Sequence, residues 1–196
     1  MNWLTFVWGC VWIYVLSVLR RGKMDFWYFL WGSVGMFVFI MILIQPILTV
    51  PLTRGVTIVS GFIGQLFNLF EGVYEYSLIF IPNKSGAISL MIDYECAGII
   101  EMAAFVSLVM FFPGYIRMEK VLVNIFGILY LFLSNVLRVV VICSVIALLG
   151  NKAYFITHTI IGRIIFYGLS MLLYYVVFTR TQIIRQKVGN FRYEDE

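Results

Sequence analysis

Residues 3 to 19 and 26 to 44 contain no charged side chain, and each run is about the length a helix needs to cross a hydrocarbon core of roughly 30 Å. A short basic turn, Arg20-Arg21-Gly22-Lys23, joins them. The positive-inside rule assigns that turn to the cytoplasmic side, so the chain starts outside and returns outside at Gln45 to Arg54. Pro46 and Pro51 predict an irregular connection there. Residues 55 to 70 are apolar but carry Thr57, Ser60, Gln65 and Asn68, a pattern that suits an interfacial or partly embedded helix. The alternative, a full crossing, would invert half of the topology and stays open.

Strand character is confined to Ser77–Ile81 and Ala87–Ile92, which flank the turn-forming stretch Pro82-Asn83-Lys84-Ser85-Gly86. They read as a β-hairpin outside the bilayer. After Cys96, residues 97 to 112 form an apolar run with one acid, Glu101, ended by Pro113-Gly114. Arg117 to Lys120 make a second cytoplasmic turn. Residues 121 to 149 make a long apolar run broken by Asn135 and Arg138, Gly150 to Ala153 connect on the outer side, and residues 159 to 178 lead to a basic cytoplasmic tail. The first run has no small-residue cleavage site after it and its basic residues follow it, so it reads as a retained span. The expectation is an all-α integral membrane protein, a single domain over 1–196, with about five to six transmembrane helices and a small extracytoplasmic hairpin before the cysteine-bearing helix.

Composition removes the soluble alternative. Of 196 residues, 62% are hydrophobic and only 12% charged, with a mean hydropathy of +0.97; no single core of this size hides so much apolar surface from water. The net charge is +4, and most of the basic residues lie in short connections, which sets membrane orientation and gives no reason to expect nucleic-acid binding. Cys10, Cys96 and Cys143 are widely spaced, so neither a disulfide framework nor a metal site is indicated, and no cofactor is implied. Trp3, Trp8, Trp12, Trp27 and Trp31 read as interface anchors and lipid-facing packing.

Ionisable groups inside apolar runs are costly and ask for a partner or a function. Glu101, Arg138, His158 and Arg163 are such groups, with Cys96 at the edge of a span. Under the topology above, Cys96 and His158 both lie where a helix enters from the outer face. Cys96 would occupy a first helical turn, where the dipole favours a thiolate, while Asp93 and Glu95 act the other way and call for a cation. His158, the sole histidine, is suited to proton transfer; Arg138 offers a fixed fork of donors for an oxyanion.

Glu95-Cys96-Ala97-Gly98-Ile99, Asn135-Val136-Leu137-Arg138 and His158-Thr159-Ile160-Ile161-Gly162, in that order on successive helices, resemble the motifs of the exosortase/archaeosortase family of membrane cysteine transpeptidases. The resemblance spans about residues 45 to 178, preceded by a helical pair at 3–44 and followed by a tail at 179–196. The shortness of the chain is similar to the compact branch of Gram-positive bacteria. What this implies is an enzyme of the bacterial plasma membrane with an extracytoplasmic site, which cleaves the C-terminal transmembrane sorting signal of an exported protein through a thioester and passes it to an acceptor. Cys96 would be nucleophile, His158 general acid/base and Arg138 oxyanion stabiliser, with Asn135, Gly98 and Gly162 supporting. Hydrolysis and transpeptidation use the same acyl-enzyme, and the resemblance leaves both open. Other classes to weigh are a non-catalytic assembly subunit and a thiol oxidoreductase, which the dispersed cysteines disfavour.

Three geometric expectations follow. Glu101 and Arg163 each lie five residues inward, from Cys96 and His158, and should pair at one depth as a structural ion pair. Arg138 lies eleven residues from the end of an unbroken helix to 149, about 16 Å deep, so either the cysteine is recessed or that helix ends early. Gly61, Gly64, Gly127 and Gly168 are candidates for close contact with a substrate helix.

Overall fold

A computed structural model describes residues 3–82, 88–92, 96–150 and 154–180. Most of that chain is helical, as long charge-free runs in lipid require, because a helix satisfies its own backbone groups. Helices α1 (Trp3–Arg21) and α2 (Asp25–Phe39) pair around the basic turn. Trp12 is wedged between them. Its indole donates to the Trp31 carbonyl at 2.9 Å, and its ring fills the space over Gly35, where an added Cβ would fall 1.8 Å from the indole nitrogen. Trp12 therefore packs helix to helix, whereas Trp3, Trp8, Trp27 and Trp31 stay exposed.

The expected irregular connection at Pro46 and Pro51 is helical instead. A π turn, Ile40–Ile44, carries α2 into α3 (Gln45–Leu66), and Asp25–Leu66 is one helical path of 42 residues. Pro46 sits in the first turn of α3, and the wider turn ahead of it makes room for the ring. Along α3, Leu52 packs against Met102 and Phe105, Gly55 faces the Phe132 ring, and Val59 and Ile63 join the outer core. The polar residues of this stretch turn inward on their own helix: Thr57 Oγ1 donates to the Thr53 carbonyl at 2.8 Å, and Ser60 Oγ to that of Val56. Residues 55–66 thus continue the second helix and lead into a sheet.

That sheet has three antiparallel strands in the order β1 (Glu71–Val73), β2 (Leu78–Ile81), β3 (Ile88–Met91). β2 and β3 form the expected hairpin, with Ile79 opposite Leu90 and Ile81 opposite Ile88; residues 83–87 of its turn lie outside the described residues. β1 was not anticipated. It packs on α3 so closely that a Cβ on Gly61 would lie 2.8 Å from the Gly72 Cα. Ser77 Oγ also donates to Thr53 Oγ1 at 3.1 Å.

Beyond the sheet, α4 (Ile99–Phe111) and α5 (Arg117–Leu149) run as a hairpin, and α6 (Tyr154–Ile156) continues through a π turn, Thr157–Ile161, into α7 (Gly162–Tyr174). Among the described residues, three helical paths are long and apolar enough to cross a membrane: Asp25–Leu66, Arg117–Leu149 and Tyr154–Arg180. α1, with 19 residues, and the apolar α4, with 13, complete the set. The 33 residues of α5 make a helix about 50 Å long, some 20 Å more than a bilayer core requires. One face of that surplus is covered by protein. Val136, Val139, Ile142 and Ile146 form one core with Ile79, Ile81 and Leu90 of the sheet. A second core, nearer the other end, joins Met102, Phe105, Val109, Leu131 and Val177.

Three of the four glycines expected to receive a substrate helix are used inside the protein. Gly61 abuts Gly72, Gly64 abuts Phe70, and Gly127 abuts the Phe105 ring; only the space over Gly168 is open.

Candidate active site

Cys96 lies in a turn, Cys96–Gly98, immediately before α4. It was expected in the first helical turn; the cap is Gly98, whose φ of +74° is a left-handed conformation that ends the turn and starts the helix. The first backbone bond of the helix runs from Met102 N–H to the Gly98 carbonyl at 3.1 Å. Ala97 and Ile99, which follow the cysteine, are buried and anchor the turn, while Cys96 itself is half-buried. Asp93 and Glu95 lie outside the described residues.

α5 fixes this turn from the side. Asn135, fully buried, donates from Nδ2 to the Cys96 carbonyl at 2.6 Å, and its Oδ1 has no hydrogen-bond partner among the described residues. Asn135 is fourteen residues before Leu149, about 21 Å from the end of the helix. The helix is unbroken and the cysteine is recessed relative to its tip; the sheet packs on the face of α5 that carries Val136, Val139, Ile142 and Ile146, alongside that recess.

His158 reaches the sulfur from the π turn: Cys96 Sγ and His158 Nε2 are 3.9 Å apart, at the outer limit of a sulfur hydrogen bond. Its ring stacks on Tyr154, with centroids 5.7 Å apart and planes 10° from parallel. Tyr154 was not singled out in the sequence, although an aromatic four residues before a lone histidine at a helix start is a readable signal. Gly162 lets the histidine-bearing helix approach α5, since a Cβ there would fall 2.6 Å from Ile142 Cδ1.

Arg138 is 8% exposed. Helical side chains lean toward the N-terminus, which carries its head from its own turn toward the level of Asn135. The guanidinium carbon lies 5.7 Å from the centroid of Phe166 on α7, and Glu101 on α4 is a charged neighbour. Arg138 thus lies between α4 and α7, the helices that follow the Cys96 turn and the His158 π turn.

The expected Glu101–Arg163 pair is not formed. Arg163 is exposed, and Glu101 Oε2 is buried without a hydrogen-bond partner among the described residues. Counting along the helices addressed depth but not rotation. The line of α7 that faces the protein runs Thr157, Gly162, Phe166, Ser170, and one residue past Gly162 is turned about 100° away from it. Cys143 is buried in the outer core and Cys10 is exposed on α1. No group of three or more potential metal ligands occurs among the described residues.

The fold and site define a helical membrane protein with a cysteine and a histidine in contact where two helices meet a small sheet. The model of the transmembrane exosortase family (Exosortase_EpsH) matches residues 2–176, and the chain belongs to that family. No curated protein and no solved structure matches it.

Proposed function

We propose that this exosortase-family membrane protein is a cysteine transpeptidase or protease acting on the C-terminal sorting signal of an exported protein. The observation that carries the reading is the 3.9 Å approach of Cys96 Sγ to His158 Nε2 across 62 residues of chain, with Asn135 holding the cysteine backbone. Nucleophile, base and an orienting group are the parts that activated-cysteine chemistry needs.

In the proposed cycle His158 accepts the Cys96 proton, and the sulfur adds to the scissile carbonyl carbon. The carbonyl oxygen becomes an oxyanion, for which the enclosed Arg138 guanidinium supplies donors. Collapse breaks the C–N bond as His158 returns the proton to the leaving amine, and a thioester remains on Cys96. An acceptor nucleophile, or water, gives its proton to His158, attacks the thioester carbonyl and releases the thiol. The site lies away from the basic turns at Arg20–Lys23 and Arg117–Lys120, and the positive-inside rule thereby supports an extracytoplasmic reaction at a bacterial plasma membrane, where a substrate's own C-terminal helix would lie alongside in lipid.

The test is co-expression with an exported protein that carries a C-terminal apolar span followed by basic residues, encoded beside this gene. Wild-type protein is expected to shorten it and, on acid quench, to show a mass adduct on the Cys96 peptide. Cys96→Ala should abolish both while inserting normally. Full processing by Cys96→Ala would overturn the reading in favour of a non-catalytic assembly subunit.

A further inference from the structure

We propose that the basic end of the bundle, remote from Cys96, holds the phosphate of an anionic phospholipid headgroup. Between the α1–α2 turn and the α4–α5 connection lies a cavity of about 620 Å³, bordered by Arg20, Arg117 and Lys120 with Asp25 as its one carboxylate. Two positive charges are therefore in excess within one concavity. Gathering like charges there is unfavourable unless an anion offsets them, and such a concavity draws one in.

The donors are arranged for it. Arg117 is the first residue of α5, at the positive end of the helix dipole, where the Glu119 carboxylate accepts the Ile116 N–H at 3.0 Å and leaves later N–H groups of the first turn. Lys120 Nζ donates to the Met110 carbonyl at 2.6 Å, which caps the C-terminal end of α4 and holds the ammonium at the cavity wall with further donors available. Arg20 and Arg117 contribute planar forks that match phosphate oxygens. One wall is apolar and stiff: Phe111 meets Tyr28 edge-on with centroids 5.6 Å apart.

A lipid fits this combination better than free phosphate, which would use the cations and ignore the apolar wall. The walls are the ends of membrane-crossing helices, so the cavity opens at headgroup level, and the positive-inside rule gives this end to the leaflet rich in anionic lipid.

The experiment uses full-length protein in mild detergent, with phosphatidylglycerol, phosphatidylcholine and inorganic phosphate as probes and native mass spectrometry as readout. Wild type is expected to retain phosphatidylglycerol over phosphatidylcholine, and Arg20→Gln/Arg117→Gln to bind it about thirtyfold more weakly. Arg20→Lys/Arg117→Lys should keep most of the affinity, which guards against a folding artefact. Arg54→Gln, on exposed α3 surface, should change nothing. Equal retention of both lipids, equal binding by the double glutamine variant, or an equal loss in Arg54→Gln would overturn the proposal. Displacement of the lipid by millimolar inorganic phosphate would overturn the lipid assignment and leave a free-phosphate site.

Discussion

Asn135 Nδ2 donates to the carbonyl oxygen of Cys96 at 2.6 Å, which ties the turn before α4 to the middle of α5. The bond joins a residue with no titratable group to the backbone of the proposed nucleophile, so it fixes position and moves no proton itself. Asn135→Ala would leave that carbonyl without its donor, a loss of about 1–3 kcal/mol. Asn135→Asp should be worse, because it sets a carboxylate oxygen against a carbonyl oxygen. Thermal unfolding midpoints in detergent rank the three proteins, and equal midpoints would show that the bond does not hold the turn.

His158 touches the sulfur but is far from Cys96 in sequence, so its removal should lower reactivity without disturbing insertion. His158→Ala is expected to cut substrate processing by about 10²–10⁴, the usual contribution of a positioned acid/base. Tyr154→Leu should cost less, since it removes only the ring that stacks on the imidazole. Processing rates at a single pH, normalised to inserted protein, decide the order.

The left-handed Gly98 predicts strain of a different kind. At φ +74° any other residue pays a conformational cost, about 1–2 kcal/mol for alanine, while the space itself is adequate, because an added Cβ would meet Asn135 at an ordinary 3.5 Å. Gly98→Asn should therefore be better tolerated than Gly98→Ala, although asparagine is the larger. The opposite order in melting temperature would mean that volume, not backbone conformation, is limiting.

At Gly162 volume decides. A Cβ would fall 2.6 Å from Ile142 Cδ1, so Gly162→Val should push α7 off α5 at a cost of about 1–3 kcal/mol. Ile142→Ala should be destabilising by itself, and the double variant should lose less than the two changes added together. Additive losses in a double-mutant cycle would show that the two residues do not share this contact.

The parts of the fold and site that were legible in the sequence are those set by composition and local order. Charge-free runs gave the membrane helices, and the residues around Cys96, Arg138 and His158 gave the family. Rotation was harder to read. Arg163 shares a helix with His158, yet a single residue beyond Gly162 turns it outward. The strand Glu71–Val73 is too short to alternate, and its partner contact is glycine on glycine. Pro46 and Pro51 looked like breaks because a helix interior rejects proline; the π turn at Ile40–Ile44 changes the local geometry ahead of Pro46, whereas Pro51 lies inside α3 and nothing in the structure explains its tolerance. Of the two alternatives that the position of Arg138 left open, the unbroken α5 selects the recessed cysteine.

The two arginines on adjoining helices should now separate cleanly. Arg163 is exposed and Arg138 enclosed, so Arg163→Gln should leave processing within about twofold, while Arg138→Gln should abolish it and Arg138→Lys should not restore the fork of donors. Reversing both Glu101 and Arg163 should rescue nothing, since they do not meet. Glu101 instead lies within electrostatic reach of Arg138, and where two enclosed groups of opposite charge offset each other, removing one costs more than removing both. Glu101→Gln should then lower the melting temperature more than Glu101→Gln/Arg138→Gln does, and only the single variant should retain activity. A double variant less stable than either single one would place the two charges in independent roles and remove Glu101 from the surroundings that hold Arg138 in the site.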